Sequence, residues 1–153
     1  MQLSLCAVGR KMPGWVQQGC SEYQKRLPKD WKFAVREIAQ ANLGTASLNK
    51  NKEGAALIAS VPATAHIVAL DNRGASWSTA ELAVQLQSWQ ELGKPVGLLI
   101  GGPDGLDEST LANTHQQWSL SALTFPHPLV RVLVTEQIYR AHSLLINHPY
   151  HRA

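Results

Sequence analysis

WSLSALTFPHPLV, residues 118–130, is the stretch on which the reading of the fold turns. An apolar, β-leaning run from Trp118 to Phe125 ends in Pro126-His127-Pro128, and an amphipathic helix follows at once. Proline locks φ and drives the residue before it to extended geometry, so Thr124 and Phe125 are expected to stay extended up to Pro126. Pro128 suits the first turn of a helix. Open α/β folds hold their ligands where strands end. The bend is therefore the first candidate for a binding site.

Downstream of the bend, Val130, Leu133, Val134, Gln137, Ile138, Ala141, Leu144 and Leu145 recur at helical spacing and predict a helix from Pro128 to Ile146. Upstream, the apolar run itself predicts a strand from Trp118 to Leu123. Leu3–Val8, His66–Leu70 and Val96–Ile100 read as buried strands, the second carrying Asp71-Asn72-Arg73-Gly74 at its carboxyl end. Trp31–Ile38 alternates and reads as a half-exposed strand. Helices are expected at Gly14–Arg26, at Glu53–Ser60, after the capping box Ser78-Thr79-Ala80-Glu81, and at about Glu108–Thr114. The stretch Ala39–Asn51, rich in Asn, Gly, Ser and Thr, is expected to be a mobile loop. Strands and helices thus alternate five times, which predicts a single α/β domain over residues 1–153, a mainly parallel sheet with helices on both faces.

Hydrophobic residues make up 44% of the chain and charged residues 16%, a balance that excludes wholesale disorder. No apolar run is long enough for a membrane span. The basic pair Arg10-Lys11 follows the first apolar run, the wrong order for a secretory signal, so a cytoplasmic protein is expected. Cys6 and Cys20 show neither CxxC spacing nor a His/Cys cluster and read as reduced structural thiols. Charge is uneven: residues 1–76 hold ten Lys/Arg and five Asp/Glu, net +5, whereas residues 77–153 hold four and six, net −2. Clusters at Arg10-Lys11, Lys25-Arg26 with Lys29, and Lys32 to Arg36 suit phosphate contacts, although from charge alone a solvated surface is the favoured reading.

Gly101-Gly102-Pro103-Asp104-Gly105 ends a strand and lets backbone approach a ligand, yet it matches neither GxGxxG nor the phosphate loop. It reads either as a ligand loop or as a bare turn. Arg131 and Arg140 lie nine residues apart, on opposite faces of one helix, and are not expected to share a role. Tyr150-His151-Arg152 offers a stacking plane, an imidazole and a fixed cation, weighed against the tendency of chain ends to fray. His127 reads as a site residue or a surface turn residue, and His142 as a packed histidine. No metal is expected, because the six histidines show no ligand spacing.

Taken together, these segments resemble the bacterial 23S ribosomal RNA pseudouridine-N3 methyltransferases, the ribosomal large subunit methyltransferase H family of the SPOUT class. The resemblance runs the length of the chain. It rests on Ala7-Val8-Gly9-Arg10-Lys11-Met12-Pro13 with Trp15-Val16, on Glu22-Tyr23 and Pro28-Lys29, and on Leu70-Asp71 with Gly74. It continues through Leu99-Ile100-Gly101-Gly102-Pro103 with Gly105, Trp118-Ser119-Leu120-Ser121 with Pro126-His127, and Asn147-His148-Pro149-Tyr150-His151-Arg152. The stretch Gln40–Asn51 departs most, being less basic than the family pattern.

The resemblance implies a SPOUT-like domain with a C-terminal deep trefoil knot, a homodimer, and S-adenosyl-L-methionine bound in the knot. It implies cofactor contacts from Leu70, Gly101, Gly102 and the run Leu120, Ser121, Ala122, Leu123, Thr124 and Phe125. It implies a catalytic and substrate group of Arg140, Tyr150, His151 and Arg152, acting on 23S rRNA in the ribosome or its large subunit. Within that group, His151 is expected to take the N3 proton, Arg140 or Arg152 to hold a phosphate or stabilise the imidate, and Tyr150 to stack on the base. The basic first half becomes the expected ribosome-facing surface. Two other readings are a non-catalytic, ribosome-associated RNA-binding protein that keeps the fold, and a nucleotide-dependent α/β enzyme, which the missing phosphate motifs disfavour.

Overall fold

A computed structural model describes residues 1–152; Ala153 lies outside the described residues. Five strands form one parallel sheet: β1 (Leu3–Val8), β2 (Ala34–Ile38), β3 (His66–Ser76), β4 (Val96–Ile100) and β5 (Gln116–Ser119), in the order β2-β1-β4-β3-β5. β1 and β4 lie inside the sheet and every one of their residues is buried, which is why both read as unbroken apolar runs. The helices are α1 (Gly14–Gln24), α2 (Ala46–Ala59), α3 (Thr79–Glu91), α4 (Glu108–Ala112) and α5 (His127–Leu145). Two cores result. One gathers Leu5, Leu98, Trp89, Trp118, Val134 and Ile138. The other gathers Cys6, Leu57, Ala69, Leu99 and Leu111. Both cysteines are buried and free. No helix among the described residues is long and apolar enough to cross a membrane.

Four expectations need correction. Trp31 is not in a strand: it closes a 3-10 turn, Lys29–Trp31, and Lys32 at φ 48° breaks the extended run before β2 begins. The stretch Ala39–Asn51 is only partly a loop. Thr45 caps α2 by accepting the Leu48 N–H at 3.2 Å, so the helix begins at Ala46 rather than Glu53. Glu53, buried on that helix, accepts the Ala41 N–H at 3.0 Å and pins the loop before it.

The third correction concerns β3, which does not end at Leu70. Leu70 and Ala75 both pair with Trp118, so residues 71–74 bulge out and the strand re-enters the ladder. The fourth concerns the opening stretch: β5 stops at Ser119. Beyond it Ser119 Oγ donates to the Ser121 carbonyl at 3.1 Å and Ser121 Oγ accepts the Leu123 N–H at 3.0 Å. These local bonds curl Leu120–Phe125 away from the ladder. Pro126 then caps α5, with His127 and Pro128 in its first turn.

Candidate active site

The carboxyl ends of β3, β4 and β5 enclose a cavity of about 490 Å³. Of the expected cofactor residues, Leu70, Gly101, Gly102, Leu120, Ser121, Leu123, Thr124 and Phe125 line it; Ala122 is exposed and does not. Leu123 stands at the rim, 70% exposed. The glycines serve close packing. A Cβ on Gly101 would meet the Gly105 carbonyl carbon at 2.8 Å, and one on Gly102 would meet Val8 at 2.9 Å. Gly105 itself has φ +80° and turns the loop back on Gly102, donating its N–H to that carbonyl at 3.0 Å.

The β3 bulge forms one wall, and an ion-pair cluster holds it in place. Arg73 Nε meets Asp71 at 2.8 Å, Nη1 meets Glu108 at 2.7 Å, and Nη2 donates to the Leu106 carbonyl at 3.3 Å. Bonding to Arg73 holds the Asp71 carboxyl below its usual range. This clamp joins the bulge to the Gly101–Leu106 loop, and sequence reading missed it. The pairing depends on the bulge, for which the string Asp71-Asn72-Arg73-Gly74 was the only signal.

Arg131 lies one turn along α5 from the cavity-lining His127. It is 2% exposed, pairs with Glu37 at 2.7 Å, and donates to the carbonyls of Val8 at 3.0 Å and Gly9 at 2.7 Å. It thereby ties α5 to the ends of β1 and β2. Arg131→Ala leaves those two carbonyls and Glu37 without their donor, and is expected to cost about 3 kcal/mol, read from urea unfolding midpoints.

Arg140, Tyr150, His151 and Arg152 lie elsewhere. None lines the cavity. Glu136 gathers the first two: it pairs with Arg140 Nη2 at 2.7 Å and accepts the Tyr150 hydroxyl at 2.9 Å. The Arg140 guanidinium lies 4.9 Å from the Tyr150 ring centre, and Tyr150 packs on Tyr139 at 4.6 Å. Burial, then the Glu136 bond, pushes the Tyr150 phenol well above its ordinary range. The tail does not fray over its described length: Pro149–Arg152 forms a 3-10 turn. His148 Nδ1 accepts the Tyr150 N–H at 3.2 Å, whereas His151 Nδ1 is buried without a partner among the described residues. Arg131 and Arg140 do serve separate purposes. His142 is a packed histidine, edge-on to Trp31 at 4.9 Å.

Burial lowers the pKa of His115, His127 and His142. His66 and Lys94 add to the effect at His115, Arg131 adds at His127, and Asp30 opposes it at His142. The unfolded chain then binds more protons than the folded one below the ordinary histidine value. Stability from these groups is full above about pH 6.5 and is lost as pH falls from there through their lower folded values. Urea midpoints should therefore drop between pH 7.5 and pH 5; a flat profile would contradict this.

The cavity fits an adenine-bearing sulfonium cofactor. Its volume lies in the range of ligand pockets, roughly 300–1,000 Å³. Leu70, Ile100, Trp118 and Phe125 supply apolar walls for a flat base, the loops bring main-chain groups close, and Lys50 and Asp104 supply charge for a zwitterionic end.

The sequence profile described as "Predicted SPOUT methyltransferase" matches residues 1–151. The chain is 50% identical over 156 aligned positions to "Ribosomal RNA large subunit methyltransferase H" of Hahella chejuensis (strain KCTC 2396), covering 99% of both chains. It is 49% identical to the protein of the same name from Methylococcus capsulatus (strain ATCC 33009 / NCIMB 11132 / Bath), covering 99% of this chain and 100% of that one. A probable methylase family protein from Haemophilus influenzae Rd KW20 has a similar fold, with a TM-score of 0.58 at 10% identity, covering 97% of this chain and 69% of that one.

Proposed function

Because the chain belongs to the SPOUT methyltransferase family, we propose that it methylates N3 of a pseudouridine in 23S rRNA of the large ribosomal subunit, in the cytoplasm, as a homodimer using S-adenosylmethionine. The observation that carries this reading is a cavity lined by Leu70, Gly101-Gly102 and most of Leu120–Phe125, in a chain that matches those relatives end to end. The path of Leu120–Phe125 into α5 is read as the knotted cradle of the family.

The cofactor supplies an electrophilic methyl on sulfur; binding, alignment and proton removal fall to the protein. The N3–methyl bond forms as the sulfur–methyl bond breaks, and the imide proton must leave N3. Among the tail side chains Tyr150 is held as a phenol by Glu136, His148 Nδ1 is occupied, and Arg140 and Arg152 are fixed cations. His151 is the acceptor that remains, and the proton passes to its imidazole. Arg140, held beside the Tyr150 ring, or Arg152 stabilises the negative charge developing on the base.

The separation of tail and cavity supports the homodimer reading. His127 lines the cavity at the start of α5, and Tyr150 lies beyond its end. The chain turns back at Asn147, and the Tyr150 hydroxyl reaches Glu136, nine residues along α5 from His127, or roughly 14 Å. Arg140, Tyr150, His151 and Arg152 do not line the cavity of their own chain, and this supports a tail that serves the cavity of a second copy. Exposed Leu123 and Ile146, at 70% and 57%, supply apolar surface for that contact. Arg10 and Lys11 follow β1 at the cavity end and suit rRNA phosphates.

The deciding experiment is mass spectrometry of rRNA nucleosides from a strain lacking the gene. Loss of 3-methylpseudouridine, restored by the wild-type gene, is expected. An unchanged level would favour the non-catalytic RNA-binding reading.

A further inference from the structure

His127 opens α5 between Pro126 and Pro128 and lines the cavity, yet neither the catalytic group nor the expected cofactor set includes it. The flanking prolines restrict its backbone. One edge of its ring is packed: a Cβ on Gly9 would stand 3.4 Å from His127 Cε1 and 3.2 Å from Arg131 Nη2. Nδ1 is buried with no hydrogen-bond partner among the described residues. Nε2 is thus the nitrogen left to meet a ligand. An imidazolium needs acceptors for both N–H groups, and none reaches Nδ1.

The surrounding charges also disfavour a proton on this ring. Arg131, one turn along α5, is a permanent cation paired with Glu37 of β2. The turn after β1 adds Arg10 and Lys11. Across the cavity Asp71 is engaged by Arg73, leaving Lys50 and Asp104 at the rim. Burial first, and Arg131 second, push the His127 imidazole below its ordinary value.

We propose that His127 is a further cofactor-contacting residue, an uncharged imidazole presented through Nε2 whose neutrality lets the cavity accept a sulfonium cation. The inference rests on the S-adenosylmethionine reading above. It makes the cavity sensitive to the charge on sulfur: the donor carries a positive sulfur and the spent product, S-adenosylhomocysteine, does not. A proton on His127 puts two like charges in one cavity, which weakens the donor and spares the product. Donor affinity is full while His127 is neutral and falls as pH drops through its folded value, which lies below the ordinary histidine value of about 6.5.

The test is calorimetric titration of the full-length wild-type protein with S-adenosylmethionine and with S-adenosylhomocysteine, at pH 7.5 and pH 5.5. Donor affinity is expected to fall more than product affinity between the two, by up to about tenfold. His127→Asn, which stays polar but cannot titrate, should lose that pH-dependent gap whatever its donor affinity at pH 7.5. His127→Gln, with its amide near the Nε2 position, is the second variant, and thermal melts confirm that each folds. Parallel weakening of donor and product in the wild type, or a gap that survives both substitutions, overturns the inference. Failure of the donor to bind wild type at pH 7.5 overturns the cofactor reading itself, and this inference with it.

Discussion

His151→Ala is expected to slow methyl transfer by about 10²–10⁴-fold, the usual contribution of a positioned base, while affinity for S-adenosylmethionine stays within about twofold. The split follows from where His151 sits. It lies in the tail, outside the cavity, so its removal leaves the cofactor walls untouched. The groups around it cannot replace it, since Tyr150 is committed to Glu136 and the arginines hold their protons. Single-turnover methylation of rRNA measures the first quantity and calorimetry the second. A variant that turns over like wild type would show that the N3 proton leaves by another route. Equal losses of rate and cofactor affinity would instead place His151 in the cofactor site.

The largest expected loss of stability comes from Gly74→Ala, at about 4 kcal/mol or more. Gly74 closes the bulge in β3, where the chain rejoins the ladder opposite Trp118. A Cβ there would lie 2.6 Å from the Trp118 amide nitrogen and closer still to the Gln117 carbonyl. Both obstacles are backbone atoms of β5, so no rotamer change relieves the clash. The strand pair must part, and the Asp71–Arg73–Glu108 clamp lies on the same bulge. Urea unfolding should show a large drop in midpoint. A loss below about 1 kcal/mol would mean that the bulge has room to shift.

What the sequence disclosed depended on how local the cause was. β1 and β4 were legible to the residue, because inner parallel strands are buried on both faces and read as apolar runs. The capping box at Ser78 was legible because its two bonds join residues three apart. Thr45 starts α2 by the same kind of bond, but a polar, glycine-bearing stretch around it concealed the helix. The true end of β5 depends on where β3 stops pairing, a non-local fact that an apolar run cannot convey. The cofactor loops were named through resemblance, and the eight of their nine residues that line the cavity could be placed only by analogy until it was visible. Glu136, which gathers Arg140 and Tyr150, was overlooked because Tyr150 lies fourteen residues away and meets it only after the chain turns back at Asn147.

The placement of the tail group outside its own chain's cavity also governs how activity scales with the amount of protein. In the proposed homodimer each working site takes its cavity from one copy and its tail from the other. A lone protomer then holds cofactor but cannot react. At concentrations below the dimer dissociation constant, turnover per protomer should fall with dilution, and total rate should rise with the square of enzyme concentration. A cell that makes few copies would keep the enzyme idle until two copies meet, and a large ribosomal particle that binds both would also serve as their assembly platform.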